Sequence, residues 1–333
     1  MIAGLRGCAL LMAVLMLPAL GCERSKTDSS GASSSAGAQT PQTAAPATTS
    51  SAPANPVGPV LRINGARAMQ YTKEIVAFGP RWDGSKAIDQ VRAYIKNKLK
   101  NDHVEEDAFV AETSIGKVPM RSIVAKFPGS RDGVIVVASH YETNYWLRNT
   151  SFVGANDGAC TSGLLLAIAD QLRGKQLEGY SIWLAFLDGE ESMQQEWKTA
   201  DALWGSRHLA AKWQADGTAS KIKAFLLADM IGDADLDIQR DENSTGWLED
   251  VVLQAAQSLG YQSYFFQATG AVEDDHLPFA KVGIPVADII DLNYGYNNSY
   301  HHTTQDTIDK LSPKSLQISG DVILETIRLL NGR

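Results

Sequence analysis

The 333-residue chain holds three cysteines, Cys8, Cys22 and Cys160, and only the last lies in what reads as its folded body. An intradomain disulfide is therefore excluded. Basic charge is scarce as well: 30 lysines and arginines stand against 38 aspartates and glutamates, a net charge of -8, with no basic stripe. Without such a footprint for phosphate backbones, nucleic acid is not an expected partner. No internal repeat is visible. The longest apolar run, CALLMAVLMLPALGC at residues 8–22, is too short to span a bilayer comfortably.

That run follows Arg6 and has the layout of a secretory signal. Its end, ALGC, resembles a bacterial lipobox, although Ala19 stands where leucine is usual three positions before the cysteine. The expectation is an exported lipoprotein, cleaved and lipidated at Cys22, held on a membrane and facing the periplasm or the exterior. Plain signal cleavage and an uncleaved anchor are the alternatives. Residues 23–58 are a Ser/Thr/Ala/Pro/Gly tract with almost no apolar bulk. Such a segment cannot offset its ordering entropy and reads as a flexible tether.

The remainder, residues 59–333, belongs to a chain whose overall composition is globular, 44% hydrophobic and 20% charged. Apolar residues recur at helical spacing over 64–78 and 84–100, separated by the breaker GPRW. HVEEDAFVAETS and VPMRSIVAKFPG alternate around IGK, which predicts an antiparallel pair at a sheet edge. Then four short runs, GVIVVAS (133–139), SIWLAFL (181–187), IKAFLLA (222–228) and IPVADII (284–290), are apolar on both faces, as interior parallel strands are. Helical stretches near 161–173, 201–214, 245–259 and 314–331 would cover both faces of the sheet. The expected fold is a single α/β domain with a mixed, mostly parallel sheet.

Ligands of open α/β sheets bind beyond the carboxyl ends of the strands. Here those ends carry His140 (VASHYET), Asp188, Glu190 and Glu191 (LDGEE), Asp229 (LADMIGD), and Asp288 with Asp291 (VADIID). Two loops add Asp157 (GANDGAC) and His301 with His302 (NNSYHHTTQDT). Singly, each has a plain explanation: Asp157 as a helix cap, Asp229 as a turn closer, His302 as a surface histidine. Jointly they would repel unless a cation or shared protons compensated them. Oxygen and imidazole donors without cysteine suit zinc in a catalytic site. The adjacent pair Glu190 and Glu191 then divides the work, one carboxylate on the metal and one moving protons. Cys160 reads as a small buried thiol at a helix start rather than a nucleophile.

In order, the motifs GAND, DGEE, LADMIG, DDHLPFAKVGIP and HTTQDT resemble the zinc aminopeptidase superfamily that also contains the animal-type glutaminyl-peptide cyclotransferases. The resemblance spans most of residues 60–331. LDGEE followed by Trp197 and DALWGSRHLA, together with EDDHLPF, looks more like the cyclases. It implies that Asp157, Glu191 and His302 hold one zinc, that Glu190 accepts and donates the proton, and that Asp229 and Asp274 join the acidic network around it. Trp197 matches the pocket tryptophan by position, and Trp204 and His301 are further pocket candidates. This chain departs from the pattern in three places: His301 stands where a tryptophan is common, Asp288 where a histidine is, and Ser139 and Ser162 where the animal enzymes have a disulfide.

The implied reaction is cyclisation of an N-terminal glutamine to pyroglutamate with release of ammonia. A zinc aminopeptidase is the rival, since His140, Asp157, Glu191, Asp229 and His302 are the five ligands that two-zinc members use. A non-catalytic binding lipoprotein that keeps the fold is the third reading. The expected partners are peptide or protein N-termini as substrate and a membrane through the lipid anchor.

Overall fold

The computed structural model describes residues 55–333; the signal run, Cys22 and the tract up to residue 54 lie outside the described residues. Helix α1 (Gly65–Val76) starts where the Asn64 side chain accepts from the Arg67 N–H, and α2 (Lys86–Lys98) where Ser85 accepts from Ile88. Strands β1 (His103–Thr113) and β2 (Gly116–Phe127) form the expected hairpin, with β1 at the sheet edge. There follow β3 (Gly129–His140), α3 (Thr161–Leu172), β4 (Leu177–Leu187), α4 (Trp204–Ala215) and β5 (Ile222–Asp229). Next come β6 (Ile238–Asp241), α5 (Gly246–Leu259), β7 (Phe265–Gly270), α6 (His276–Lys281), β8 (Val286–Ile290) and α7 (Pro313–Asn331). No described helix is long and apolar enough to cross a membrane.

The eight strands form one sheet in the order β1-β2-β4-β3-β5-β8-β6-β7. The four expected interior strands are β4, β3, β5 and β8, and they pair in parallel. β6 and β7 also run parallel to each other, while β1–β2, β2–β4 and β6–β8 are antiparallel. Strands β6 and β7 and helix α6 were not expected from the sequence. They are four to six residues long, too short to display a period. Helix α4 begins three residues later than the pattern predicts, because a 3₁₀ turn occupies Thr199–Asp201.

Alternation along the interior strands sends their side chains into two cores. Ile135 and Val137 of β3, Leu184 and Phe186 of β4, and Leu226 of β5 pack under α1, α2, α3, α5 and α7. Val136 and Ala138, Leu187, and Phe225 with Leu227 face α4 and α6 on the other side, through Trp213 and Phe279. Strand order reverses around β3, whose neighbours β4 and β5 follow it in sequence on opposite sides. The crevice at such a switch point opens at the carboxyl ends of β3 and β5, where His140 and Asp229 stand. At the end of the compositional tract, Val57 N–H donates to the Arg328 carbonyl at 2.9 Å and Arg328 Nη1 to the Gly58 carbonyl at 3.0 Å, so these residues rest on α7.

Helices α1 and α3 cross closely at Gly163, where an added Cβ would meet Thr72 N at 2.8 Å and the Ala68 carbonyl at 2.9 Å. Backbone cannot step aside as a side chain can. Gly163→Ala is therefore expected to destabilise by about 1–2 kcal/mol in urea unfolding, overpacking outweighing the gain of up to about 1 kcal/mol that helix propensity alone would give. An unchanged or higher midpoint would show that the helices separate freely.

Candidate active site

The chain between β3 and α3 is bent so that Asp157 points back over His140. Residues Ala155–Cys160 form a π-type turn in which Asp157 leaves helical geometry at φ -83°, ψ 96° and Gly158 follows at φ +82°. Only glycine fits there, since a Cβ on Gly158 would also lie 2.8 Å from the His140 ring. Two groups that the sequence reading passed over fix this turn. Asp306 accepts from the N–H groups of Asn156 at 2.7 Å and Asp157 at 3.2 Å. The fully buried Arg81 guanidinium donates to the carbonyls of Tyr141 (2.6 Å), Gly154 (2.8 Å) and Asp157 (3.0 Å). Cys160 is a buried free thiol whose Sγ faces the Asn156 carbonyl at 3.0 Å.

The turn after β4 is held from two sides. Backbone N–H groups of Leu203, Trp204 and Gly205, at the start of α4, donate to the carbonyls of Glu190, Gly189 and Asp188 at 2.7–2.9 Å. From below, Glu142 Oε1 accepts the N–H groups of Glu190 at 2.6 Å and Glu191 at 3.2 Å. Glu142 sits two residues beyond His140 in HYET, and nothing in the sequence pattern marks its role, because that role is to accept backbone N–H groups. Asp188 turns away from the crevice to Arg92 and the Arg121 N–H. Its place in LDGEE is structural.

These loops bring the expected residues together. His302 Nε2 lies 3.1 Å from Glu191 Oε2 and 3.3 Å from Asp157 Oδ2. On the other side of Asp157, His140 Nε2 lies 3.1 Å from Oδ1 and 3.4 Å from Asp229 Oδ1. Asp157 thus bridges two subsites. His302 adopts φ +52°, an unusual conformation for a bulky residue, with its ring edge-on to Trp146 and Phe152. Where the animal enzymes' disulfide would lie, the Ser139 and Ser162 hydroxyls both donate to the His140 carbonyl, at 2.7 and 2.9 Å.

Charge is unbalanced here. Burial opposes ionisation of His140 and His302, yet the flanking carboxylates hold both imidazoles well above their ordinary range. Burial likewise works against Asp157, but the two imidazoles keep it well below the usual carboxylate range. Burial and Asp274 push Glu190 well above that range, and burial raises Glu191 to about 7 against the attraction of His302. Although the ring nitrogens and carboxylate oxygens are close, His140 Nε2 and Asp157 Oδ2 make no hydrogen bond among the described residues. Buried donor atoms that crowd together without bonding one another suit a shared cation. The oxygen and nitrogen set has the donor chemistry of a zinc site: His302 faces both Asp157 and Glu191, and Asp157 with His301 and His302, like His140 with Asp157 and Asp229, is grouped closely enough to hold an ion.

A cavity of about 320 Å³ opens over these groups. Glu190, Asp274 and Asp229 line its polar side, Met230, Val272, Ile290 and Leu292 its apolar side, and Trp197 and His301 also face it. The His301 ring lies 3.8 Å from that of His302, and burial with that neighbour lowers its pKa to about 4. Trp204 requires correction as a pocket candidate: it is not among the residues lining this cavity. Its place at the first turn of α4 packs it near Met120 and Met193, under the Arg207 guanidinium at 4.1 Å. Two strand-end carboxylates, Asp288 and Asp291, do not line the cavity. Asp288 is buried beside His276, which contacts Asp241 through its other ring nitrogen, and Asp291 closes a turn by accepting from Asp237 and Asn293.

Residues 122–327 match the model of peptidase family M28. The chain is 31% identical over 265 residues to the glutaminyl-peptide cyclotransferase-like protein of Bos taurus, covering 71% of this chain and 68% of the relative. Among solved structures it is similar to an Acidobacteriales bacterium glutaminyl cyclase, with 51% identity and a TM-score of 0.80 over 86% of this chain and 99% of that one. A leucine aminopeptidase precursor from Bacteroides thetaiotaomicron aligns with a TM-score of 0.71 and 25% identity over 82% and 99%.

Because Asp306 fixes the backbone that aims Asp157, removing its carboxylate in Asp306→Ala should weaken zinc binding about 10–100-fold. Competition with a chromophoric chelator reads this directly; affinity equal to that of the unaltered chain would remove Asp306 from the site.

Proposed function

The chain belongs to peptidase family M28 and to its glutaminyl-peptide cyclotransferases, and from that premise we propose that it cyclises N-terminal glutamine to pyroglutamate with one zinc ion. The observation that carries the reading is the cavity itself. At about 320 Å³ it lies at the small end of ligand pockets, with Glu190 on its wall beside Asp157, Glu191 and His302 and an apolar side opposite.

The α-amine attacks the side-chain amide carbon; an N–C bond forms, the amide C–N bond breaks, and ammonia leaves. Zinc, when bound, supplies Lewis acidity toward the γ-carbonyl oxygen. Glu190 takes a proton from the attacking amine and returns it to the departing nitrogen, a contribution of about 10²- to 10⁴-fold. Its carboxyl is suited to both halves of the transfer, since burial and Asp274 raise its proton affinity. Attack is intramolecular, so the apolar wall and Trp197 accelerate it by orienting the substrate. In this reading His140, its Nε2 3.4 Å from Asp229, offsets charge behind Asp157 rather than holding a second ion.

A second reading keeps one specific observation in its favour: His140, Asp157 and Asp229 could hold another metal, as a two-zinc aminopeptidase requires. Export and lipidation at Cys22 complete the proposal and rest on residues 1–22 alone.

Zinc counting and product analysis separate the two readings. We expect one zinc per chain, ammonia from a Gln-initiated peptide without peptide-bond cleavage, and no free leucine from leucine anilide. Chelation should abolish turnover. Glu190→Gln should reduce kcat at least about 100-fold while zinc stays bound; turnover that survives this change removes Glu190 as the base.

A further inference from the structure

Glu273 lines the same cavity as Asp274 and Glu190. It is exposed, whereas its neighbour Asp274 is buried on the same cavity wall. Adjacent Cα atoms are about 3.8 Å apart, so a substrate whose glutamine reaches Asp274 and Glu190 leaves past Glu273 within about one residue. Glu273 is also fixed in place. Its Oε2 accepts from Trp197 Nε1 at 3.1 Å and from the Thr199 hydroxyl, which ties the loop after β4 to the loop before α6. Oε1 has no hydrogen-bond partner among the described residues and is free for substrate.

The charge at this position is uncompensated locally. No lysine or arginine lines the cavity. Hydrogen bonds from Thr199 and then Trp197 hold the Glu273 carboxyl below its ordinary range, so it is ionised at neutral pH, with Lys281 only a minor influence. Two donors on a single oxygen also restrict its rotation, which reduces the entropy lost when a cation pairs with the other.

We propose that Glu273 selects among glutaminyl peptides by the charge of the residue after the glutamine, favouring lysine or arginine and disfavouring aspartate or glutamate. The proposal rests on the cyclase reading and names the substrate class of that same site. Exposed ion pairs are weak, so the preference is modest: about tenfold in kcat/KM between attraction and repulsion, most of it lost in concentrated salt.

The test uses Gln-Lys-Ala-amide, Gln-Gly-Ala-amide and Gln-Glu-Ala-amide with the intact zinc enzyme, following ammonia. The expected order of kcat/KM is lysine, glycine, glutamate, with about tenfold between the ends, narrowing toward unity in 0.5 M NaCl. Glu273→Gln keeps a carbonyl acceptor for Trp197 and Thr199 but removes the charge, and should bring the lysine-to-glutamate ratio near one. Equal rates in the unaltered enzyme, a ratio insensitive to salt, or a ratio retained in the variant would overturn the inference while leaving the cyclase reading intact. Absence of ammonia from all three peptides would instead overturn the cyclase reading, and this inference with it.

Discussion

Compensation of buried negative charge is the constraint on which the rest of the molecule depends. Asp157, Glu191, Asp229 and Glu190 converge at the carboxyl ends of β3, β4 and β5, all of them buried. Carboxylates packed this way destabilise a fold unless protons or a cation offset them. The imidazoles of His140 and His302 answer part of the demand, one on each side of Asp157. A divalent cation would answer it more fully than the two imidazoles alone. Stability and chemistry thus draw on the same arrangement.

Holding that arrangement falls to the backbone more than to the side chains themselves. Three devices share it: the π-type turn with Gly158 at φ +82°, the carbonyl acceptors that cap the start of α4, and the left-handed His302 at φ +52°. Each needs support from outside its own segment. Asp306 reaches back across 149 residues to the Asp157 N–H, and Arg81 collects carbonyls from residues 60 to 76 positions away. Local strain persists because distant contacts over-determine it.

That distribution explains what could be read in advance. Strands apolar on both faces and helices with a clear period announce themselves over short windows, so β3, β4, β5, β8 and the longer helices were predictable. The carboxylates and histidines that the fold gathers were visible because such groups at strand ends are costly without a purpose. Glu142, Arg81 and Asp306 escaped because their roles consist of bonds to backbone amides and carbonyls, which leave no mark on composition. Trp204 misled for the converse reason: an aromatic residue near DGEE in sequence packs at the first turn of α4, outside the cavity.

The same logic accounts for the departures from the family pattern. Two serine hydroxyls on the His140 carbonyl stand where a disulfide would be, so the strand end is tethered by hydrogen bonds that need no oxidising compartment. Asp288 stands where a histidine is common, an exchange that looks like a reversal of charge. Burial, then Asp229 and Asp241, push its carboxyl well above the ordinary range, so it holds a proton more readily than an exposed aspartate does. A protonated aspartate is a neutral donor and acceptor, as a neutral imidazole is. Either side chain, when neutral, adds no charge beside an already crowded set of anions.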